Sequence, residues 1–278
     1  MERRTKKIKM RNKLFTSVLA VIIAVVSIGA TTFAWYIYNT NARSTELKLA
    51  AGTSISLSIS NKIDGDYASN TVLEDFEGRL NPVSTNKMQN GFQKVLGFTN
   101  GTATQSDLVA NLFGEGEFSD YYKTSLFFKS ESGTLNLAIS DIKYEDKDAD
   151  APISTAIRVG FVVPSTNEEF IFSINEEKNP HSEYNTQKGE IGHVLDSTKT
   201  DGSTVAFESY TRSAYCEYDS STGEVVVNEN TLRIMPVGQE PALLEVYLWL
   251  EGCDEDCTTS LSESVLKNIA VSFCGTEE

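Results

Sequence analysis

Several stretches of the chain alternate apolar and polar residues with a period of two. In TSISLSISN, residues 53–61, Ile55, Leu57 and Ile59 fall on one face and Ser54, Ser56, Ser58 and Ser60 on the other, as a half-buried strand requires. Leu47 and Leu49 flanking Lys48 repeat the rhythm just upstream, with Ala51-Gly52 as the expected break. TLNLAIS brings Leu135, Leu137 and Ile139 together, and STAIRVGFVV does the same for Ile157, Val159, Phe161 and Val163. The latter meets FIFSI across PSTNE, a hairpin signal. Further strands are expected at Val225 to Val227, Leu232 to Met235 and Ile269 to Phe273.

LLEVYLWLEG differs, because both of its faces are bulky. Leu244, Val246, Leu248 and Leu250 share one face, while Leu243, Tyr247 and Trp249 share the other with Glu245, the pattern of a central strand covered on both sides. The one helical signal of the body is QSDLVANLFG, Gln105 to Gly114, with Ser106 or Asp107 as cap and Gly114 as stop. Many short strands and one weak helix predict an all-β fold: an antiparallel β-sandwich of jelly-roll type, carrying a mixed loop and short-helix insertion over about residues 61–125.

The head of the chain follows a different rule. A basic segment is followed by LFTSVLAVIIAVVSIGA, Leu14 to Ala30, without a charge, and by small residues ending Thr32-Phe33-Ala34. That order is the one of an export signal cut between Ala34 and Trp35. Through Tyr38 the uncharged run reaches 25 residues, so a retained membrane-spanning helix is the alternative. Gly29 and the Thr31-Thr32 pair, which interrupt the helical pattern where a peptidase needs extended chain, favour the cut. Under either reading the positive charges hold the N-terminus inside and send the body out. The expected organisation is residues 1–34 as signal or anchor and 35–278 as a single extracellular domain that meets the membrane only through its N-terminal segment.

Charge sharpens this picture. Taking the seven Lys/Arg and one Glu of residues 1–34 from the 24 basic and 39 acidic residues of the chain leaves 17 and 38, a formal −21. Such a surface repels nucleic acid and anionic lipid, so neither is an expected partner.

Candidate chemistry is sparse. His181 and His193 sit in no H-E-x-x-H pair, and neither G-x-S-x-G nor a phosphate-binding glycine loop is present, so no catalytic residue, metal ligand set or cofactor is expected. Four cysteines in an exported chain invite disulfides: a local bridge between Cys253 and Cys257 would leave Cys216 with Cys274, and reduced, buried thiols are the alternative. The turn between the first pair is acidic, and Glu251, Asp254 and Asp256 form a weak calcium candidate whose spacing matches no EF-hand loop. A second acidic tract, YEDKDADAP, alternates Asp146, Asp148 and Asp150, and is expected to be a solvated connection. Tyr121, Tyr122, Phe127 and Phe128 can stack on sugar rings or fill a core.

The head resembles the TasA/camelysin group of exported Gram-positive surface proteins, whose export signals are cut by a dedicated signal peptidase. The positions that carry the resemblance are Thr31 to Ala34 at the cut, Trp35 to Thr40 after it, and Ala51-Gly52-Thr53 at a strand start. The tail WLEGCDEDC is similar to a W-x-E-G-x-D-x-x-C pattern of surface proteins with the same signal type, departing at Cys253 and at Glu255, where proline is common. The resemblance implies a non-catalytic jelly-roll subunit of the cell surface or biofilm matrix that self-associates into fibres. Its donor strand would begin at Trp35, Tyr36, Ile37 and Tyr38, completing a neighbour's sheet edge in a head-to-tail contact. A monomeric surface adhesin or glycan-binding module is the alternative. Lacking an L-P-x-T-G signal near its end, the chain is expected to attach through its N-terminus or through partners.

Overall fold

In the computed structural model the described residues are 48–53, 57–73, 80–94, 98–99, 102–103, 108–109, 120–131, 133–147, 149–150, 152–175, 193–195, 204–206, 209–219, 224–254, 256–257 and 266–277. All of them belong to one compact unit, Arg43–Glu278. The early strands are β1 (Lys48–Thr53), β2 (Leu57–Ser60), β3 (Asn70–Val72), β4 (Pro82–Ser84), β5 (Phe92–Lys94), β6 (Phe98–Thr99), β7 (Thr102–Ala103) and β8 (Leu108–Val109). Longer strands follow as β9 (Tyr122–Ser130), β10 (Leu135–Asp146), β11 (Ile157–Val163) and β12 (Glu168–Ser173). Two short hairpins, β13 (His193–Leu195) with β14 (Thr204–Ala206) and β15 (Glu217–Asp219) with β16 (Glu224–Val226), precede β17 (Met235–Val237), β18 (Ala242–Glu251) and β19 (Leu266–Thr276). Single 3-10 turns stand at Met88–Asn90, Ile153–Ala156 and Arg212–Ala214. The all-β expectation holds.

Two sheets face each other. One has the order β17-β10-β19-β1-β3; the other runs β12-β11-β18-β4-β5-β8, with β9 also on β18 and β2 on β9. Pairing is antiparallel as expected, except that β1 runs parallel to β19 and β4 parallel to β18. Both edges of β18 are used, since β11 pairs along one while β9 and β4 divide the other.

Alternation along these strands builds the main core. Leu244, Val246, Leu248 and Leu250 of β18 meet Val159, Phe161 and Val163 of β11 and Ile269, Val271 and Phe273 of β19 in one buried cluster. Phe273 lies edge-on to Phe128 at 4.9 Å and to Phe161 at 5.8 Å, an arrangement that matches positive ring edge to negative ring face. In β10 the inward residues are Leu135, Leu137, Ile139 and then Ile142. The step of three follows from a bulge, where Ile139 to Asp141 spans two residues against one on β19.

Three sequence expectations change in the fold. The half-buried reading of Ile157 to Val163 gives way to a strand buried along its whole length, because Val162 points into a second cluster with Tyr247 and Trp249. The alternating strand expected over residues 53–61 does not lie in one sheet: Thr53 and Leu57–Ser60 belong to different ones. Lys48–Thr53, with Ala51-Gly52 inside it rather than as a break, pairs in the first sheet, and Leu57–Ser60 pairs with β9 in the second. The helix expected over Gln105 to Gly114 is replaced at Leu108–Val109 by a strand whose partners are Gln93 and Phe92. A ten-residue helix is marginal in isolation, and a sheet edge with unpaired backbone groups outcompetes it. The expected PSTNE hairpin is present: Thr166 and Asn167 donate backbone N–H groups to the Val163 carbonyl, and Asn167 takes the left-handed φ of 59° that asparagine tolerates.

The second cluster covers the outer face of the larger sheet. Val83, Met88, Phe92, Tyr121, Val162, Ile171, Tyr247 and Trp249 form it, so the segment expected to be an insertion supplies a lid to the sheet. Phe92 stacks on Tyr121 at 4.0 Å and meets Trp249 edge-on at 5.3 Å. Gly160 is essential to this packing. A Cβ there would lie 2.1 Å from Met88 Sδ and 2.9 Å from Trp249 Cζ3.

Candidate functional site

The sequence marks two regions for function, the acidic turn after β18 and the N-terminal strand. In the turn, Trp249 and Glu251 lie two residues apart and therefore on the same face of β18. Glu251 is buried to 1% exposure, and its carboxylate accepts hydrogen bonds from Trp249 Nε1 and from the Cys253 backbone, each at 3.0 Å. Asp254 Oδ1 accepts from the Asp256 backbone at 2.8 Å, and Oδ2 pairs with the Arg158 guanidinium. Arg158, itself 2% exposed, also donates to the carbonyls of Ile157 at 3.1 Å and Thr155 at 3.3 Å. The backbone turns twice, Asp254 N–H donating to the Glu251 carbonyl and Cys257 N–H to that of Asp254.

Two of the three calcium candidates are engaged by the protein itself. The oxygens of Glu251 and Asp254 face protein donors, and a divalent cation would have to displace the Arg158 guanidinium. Among the described residues no group of three or more His, Cys, Asp or Glu side chains is placed to hold a metal ion. Burial pushes the Glu251 carboxyl above its ordinary range, against the opposing pull of Trp249, Arg158 and Ser84. Desolvation likewise pushes the Cys257 thiol well up, with Asp254, Glu251 and Cys253 adding to the effect and Arg158 opposing it. A thiol in that setting stays protonated and is a poor nucleophile.

The cysteines divide unequally. Cys216 is joined to Cys274, which fastens the segment after the 3-10 turn at Arg212–Ala214 onto the outer face of β19, where Ala138 packs beside the bridge. The second expected bridge is corrected: Cys253 and Cys257 are thiols. The turn between them is shaped by Glu251, Asp254 and Arg158, so its geometry depends on carboxylates and a guanidinium rather than on a covalent clamp.

Of the aromatics offered for sugar stacking, Phe127 is partly exposed and the other three are interior. Tyr121, Tyr122 and Phe128 are at most 2% exposed, which leaves them to the two cores. Of the YEDKDADAP tract, Asp146 is structural: it accepts from the Ser154 backbone at 3.0 Å and from the Ser154 hydroxyl at 2.6 Å, holding the turn at Ile153–Ala156. Asp150 is exposed, as a solvated connection requires. His193 opens the short strand β13; His181 and Asp148 lie outside the described residues.

The N-terminal strand β1 is an inner strand of its sheet. It runs parallel to β19 over six residue pairs, from Lys48 with Asn268 to Thr53 with Phe273, and its other edge meets β3 over only Ala50 to Gly52. Beyond β3 the sheet ends at an exposed Val72. Ala34, Trp35, Tyr36, Ile37 and Tyr38, the expected cut and donor strand, lie outside the described residues. Elsewhere, a surface cleft of about 950 Å³ lies between the β11–β12 hairpin turn, Pro164–Thr166, and the Met235–Leu243 segment.

Sequence reasoning did not single out Arg158, Asn81, Lys94 or Asp120. Arg158 and Asp254 are 96 residues apart, and Asn81 and Asp120 are 39 apart, so no local spacing announces them. Comparison with protein-family models, with curated proteins and with solved structures finds no match for the chain.

Proposed function

We propose that the chain is a non-catalytic structural protein of the cell surface or biofilm matrix of a Gram-positive-type bacterium, exported through its N-terminal signal and assembling into fibres by exchange of its N-terminal strand. On this reading the two facing sheets are a sandwich of jelly-roll type, and the export peptidase is a transient partner. The observation that carries it is the position of β1. The first described strand of the chain lies parallel to the last, and its removal would bare six residues of β19 edge. A strand at that place, which follows the apolar WYIY segment by nine residues in the sequence, can be supplied by a neighbour with the same backbone hydrogen bonds. Such a contact is heterologous and does not close on itself, so it grows into a filament.

The test is to compare the exported protein with a form lacking residues 35–44, by electron microscopy and by mass in solution. Fibres or oligomers are expected only with the segment present; unchanged assembly without it overturns the reading. The formal −21 of residues 35–278 makes copies repel one another, so assembly is expected to strengthen as salt screens that charge.

A further inference from the structure

At one end of the second aromatic cluster three polar side chains converge. Asp120 is fully buried, and one of its carboxylate oxygens, Oδ1, is in close hydrogen-bond contact with the carboxamide of Asn81. The other, Oδ2, lies 3.0 Å from Lys94 Nζ yet receives no aligned hydrogen bond. The backbone holds all three in place. Asn81 N–H donates to the Asp120 carbonyl at 3.2 Å, and the pairing of Val83 with Lys94 sets Asn81, two residues upstream of Val83, diagonally across from Lys94 on the same face. Diagonal neighbours of this kind are about 7–8 Å apart at their backbones, within the span of a lysine and an asparagine side chain. The surroundings are apolar: Val83 and Phe92 have no exposure, and Tyr121, next to Asp120, is 2% exposed. The Lys94 side chain enters this site from a position one-third exposed.

We propose that Lys94 and Asn81 become joined by an intramolecular isopeptide bond, with Asp120 as the catalytic carboxyl group that touches both. A proton passes from the Lys94 ammonium to the Asp120 carboxylate across their contact, leaving a neutral amine and a carboxylic acid. With the Asn81 carboxamide turned so that Oδ1 faces the acid, Asp120 donates to that oxygen and polarises the carbonyl, and the two ends of a carboxamide are alike enough in shape for either orientation to fit. Lys94 Nζ adds to Asn81 Cγ, forming the C–N bond; its surplus proton is passed through Asp120 to the departing amide nitrogen, which leaves as ammonia. Ammonium and primary amide become a secondary amide and an ammonium ion, no oxidant or co-reactant is consumed, and Asp120 returns to carboxylate when the departing ammonia takes up its proton. Holding nucleophile, electrophile and acid together in the fold lowers the entropic barrier that makes this condensation slow in solution.

The bond would tie β5 to the start of β4 and hold the lid over Trp249, whether or not the protein assembles. The test is mass spectrometry of the exported protein in monomeric form. The expected intact mass, after allowance for the Cys216–Cys274 bridge, is below that of the sequence by one ammonia, and proteolysis is expected to yield a branched peptide joining residues 81 and 94. Linear peptides alone overturn the proposal. A Lys94–Asp120 branch with loss of water also overturns it, since Asp120 would then be the electrophile. Lys94→Arg, which keeps the positive charge beside Asp120, is expected to fold with its disulfide intact and to lose the branched peptide completely. Asp120→Ala, where it folds, is expected to lose it as well; retention of the cross-link in that variant overturns the catalytic role.

Discussion

The two cores of this protein are built on opposite principles. The one between the sheets is almost wholly aliphatic and aromatic, with Phe128, Phe161, Phe172 and Phe273 at its centre. The one on the outer face of the larger sheet is ringed by charge: Glu169 at the 3-10 turn, Asp120 by Lys94, and Glu251, Asp254 and Arg158 beyond Trp249. Both bury large rings, but the first needs only that apolar residues alternate, while the second needs each buried polar atom to find its partner. A core of the first kind loses stability in proportion to what is removed. In the second, loss of one partner leaves another group desolvated and unsatisfied.

Phe161→Ala should remove about 3–5 kcal/mol by opening a cavity in the first core, read from the shift of the urea midpoint at unchanged m-value. A cost below about 1 kcal/mol would mean that the sheets close up around the gap and are less tightly determined than their ring contacts suggest. Arg158→Ala should also cost about 3–5 kcal/mol, though by a different mechanism, because Asp254 and the carbonyls of Thr155 and Ile157 lose the buried guanidinium that faces them. The double replacement Arg158→Met with Asp254→Leu separates the two. Recovery of most of the loss would show that the penalty came from the orphaned charge; no recovery would place it in the shape of the turn.

Gly160→Ala tests the junction of the lid with the sheet and should cost about 1–3 kcal/mol, since Met88 and Trp249 must both give way. Trp249 fluorescence should report the displacement, and an unchanged spectrum with unchanged stability would contradict the close packing.

The smallest effect concerns pH. Burial raises the Glu169 carboxyl above its ordinary 4.5, against the backbone N–H groups of Met88 and Gln89 that accompany it. Folding therefore favours its protonated form. The contribution is fully present below pH 4.5 and is lost as pH rises through the elevated folded value. Glu169→Gln should flatten the stability profile over that window relative to the parent, measured as urea midpoints at a series of pH values. A profile parallel to that of the parent would show that the side chain is solvated.

Much of the first core can be read directly from the chain. The double-sided bulk of LLEVYLWLEG identifies β18 as a central strand, and the alternation around Leu137 and Phe161 identifies inward faces, because a strand's period of two follows from backbone geometry alone. The bulge in β10 is visible as well, once Ile142 is seen to break the step set by Ile139. By contrast, the assignment of Lys48–Thr53 to one sheet and Leu57–Ser60 to the other has no local signal. Either sheet can bury the same pattern, and the choice depends on which edges β9 and β19 leave open.

The polar site is hardest to read, for a related reason. Aspartate, lysine and asparagine are common surface residues, and nothing near Asn81, Lys94 or Asp120 distinguishes them from solvated ones. Burial and mutual contact set them apart, and both come from pairing segments distant in sequence. The cysteines show the same divide. Their number and spacing permit three connectivities, and proximity in the fold, not spacing, joined Cys216 to Cys274 and left the CDEDC turn to Arg158. Periodicity is a local property of the chain and so survives in one dimension. Pairing of charges, thiols and strand edges depends on distance in space, which exists only after the chain has folded.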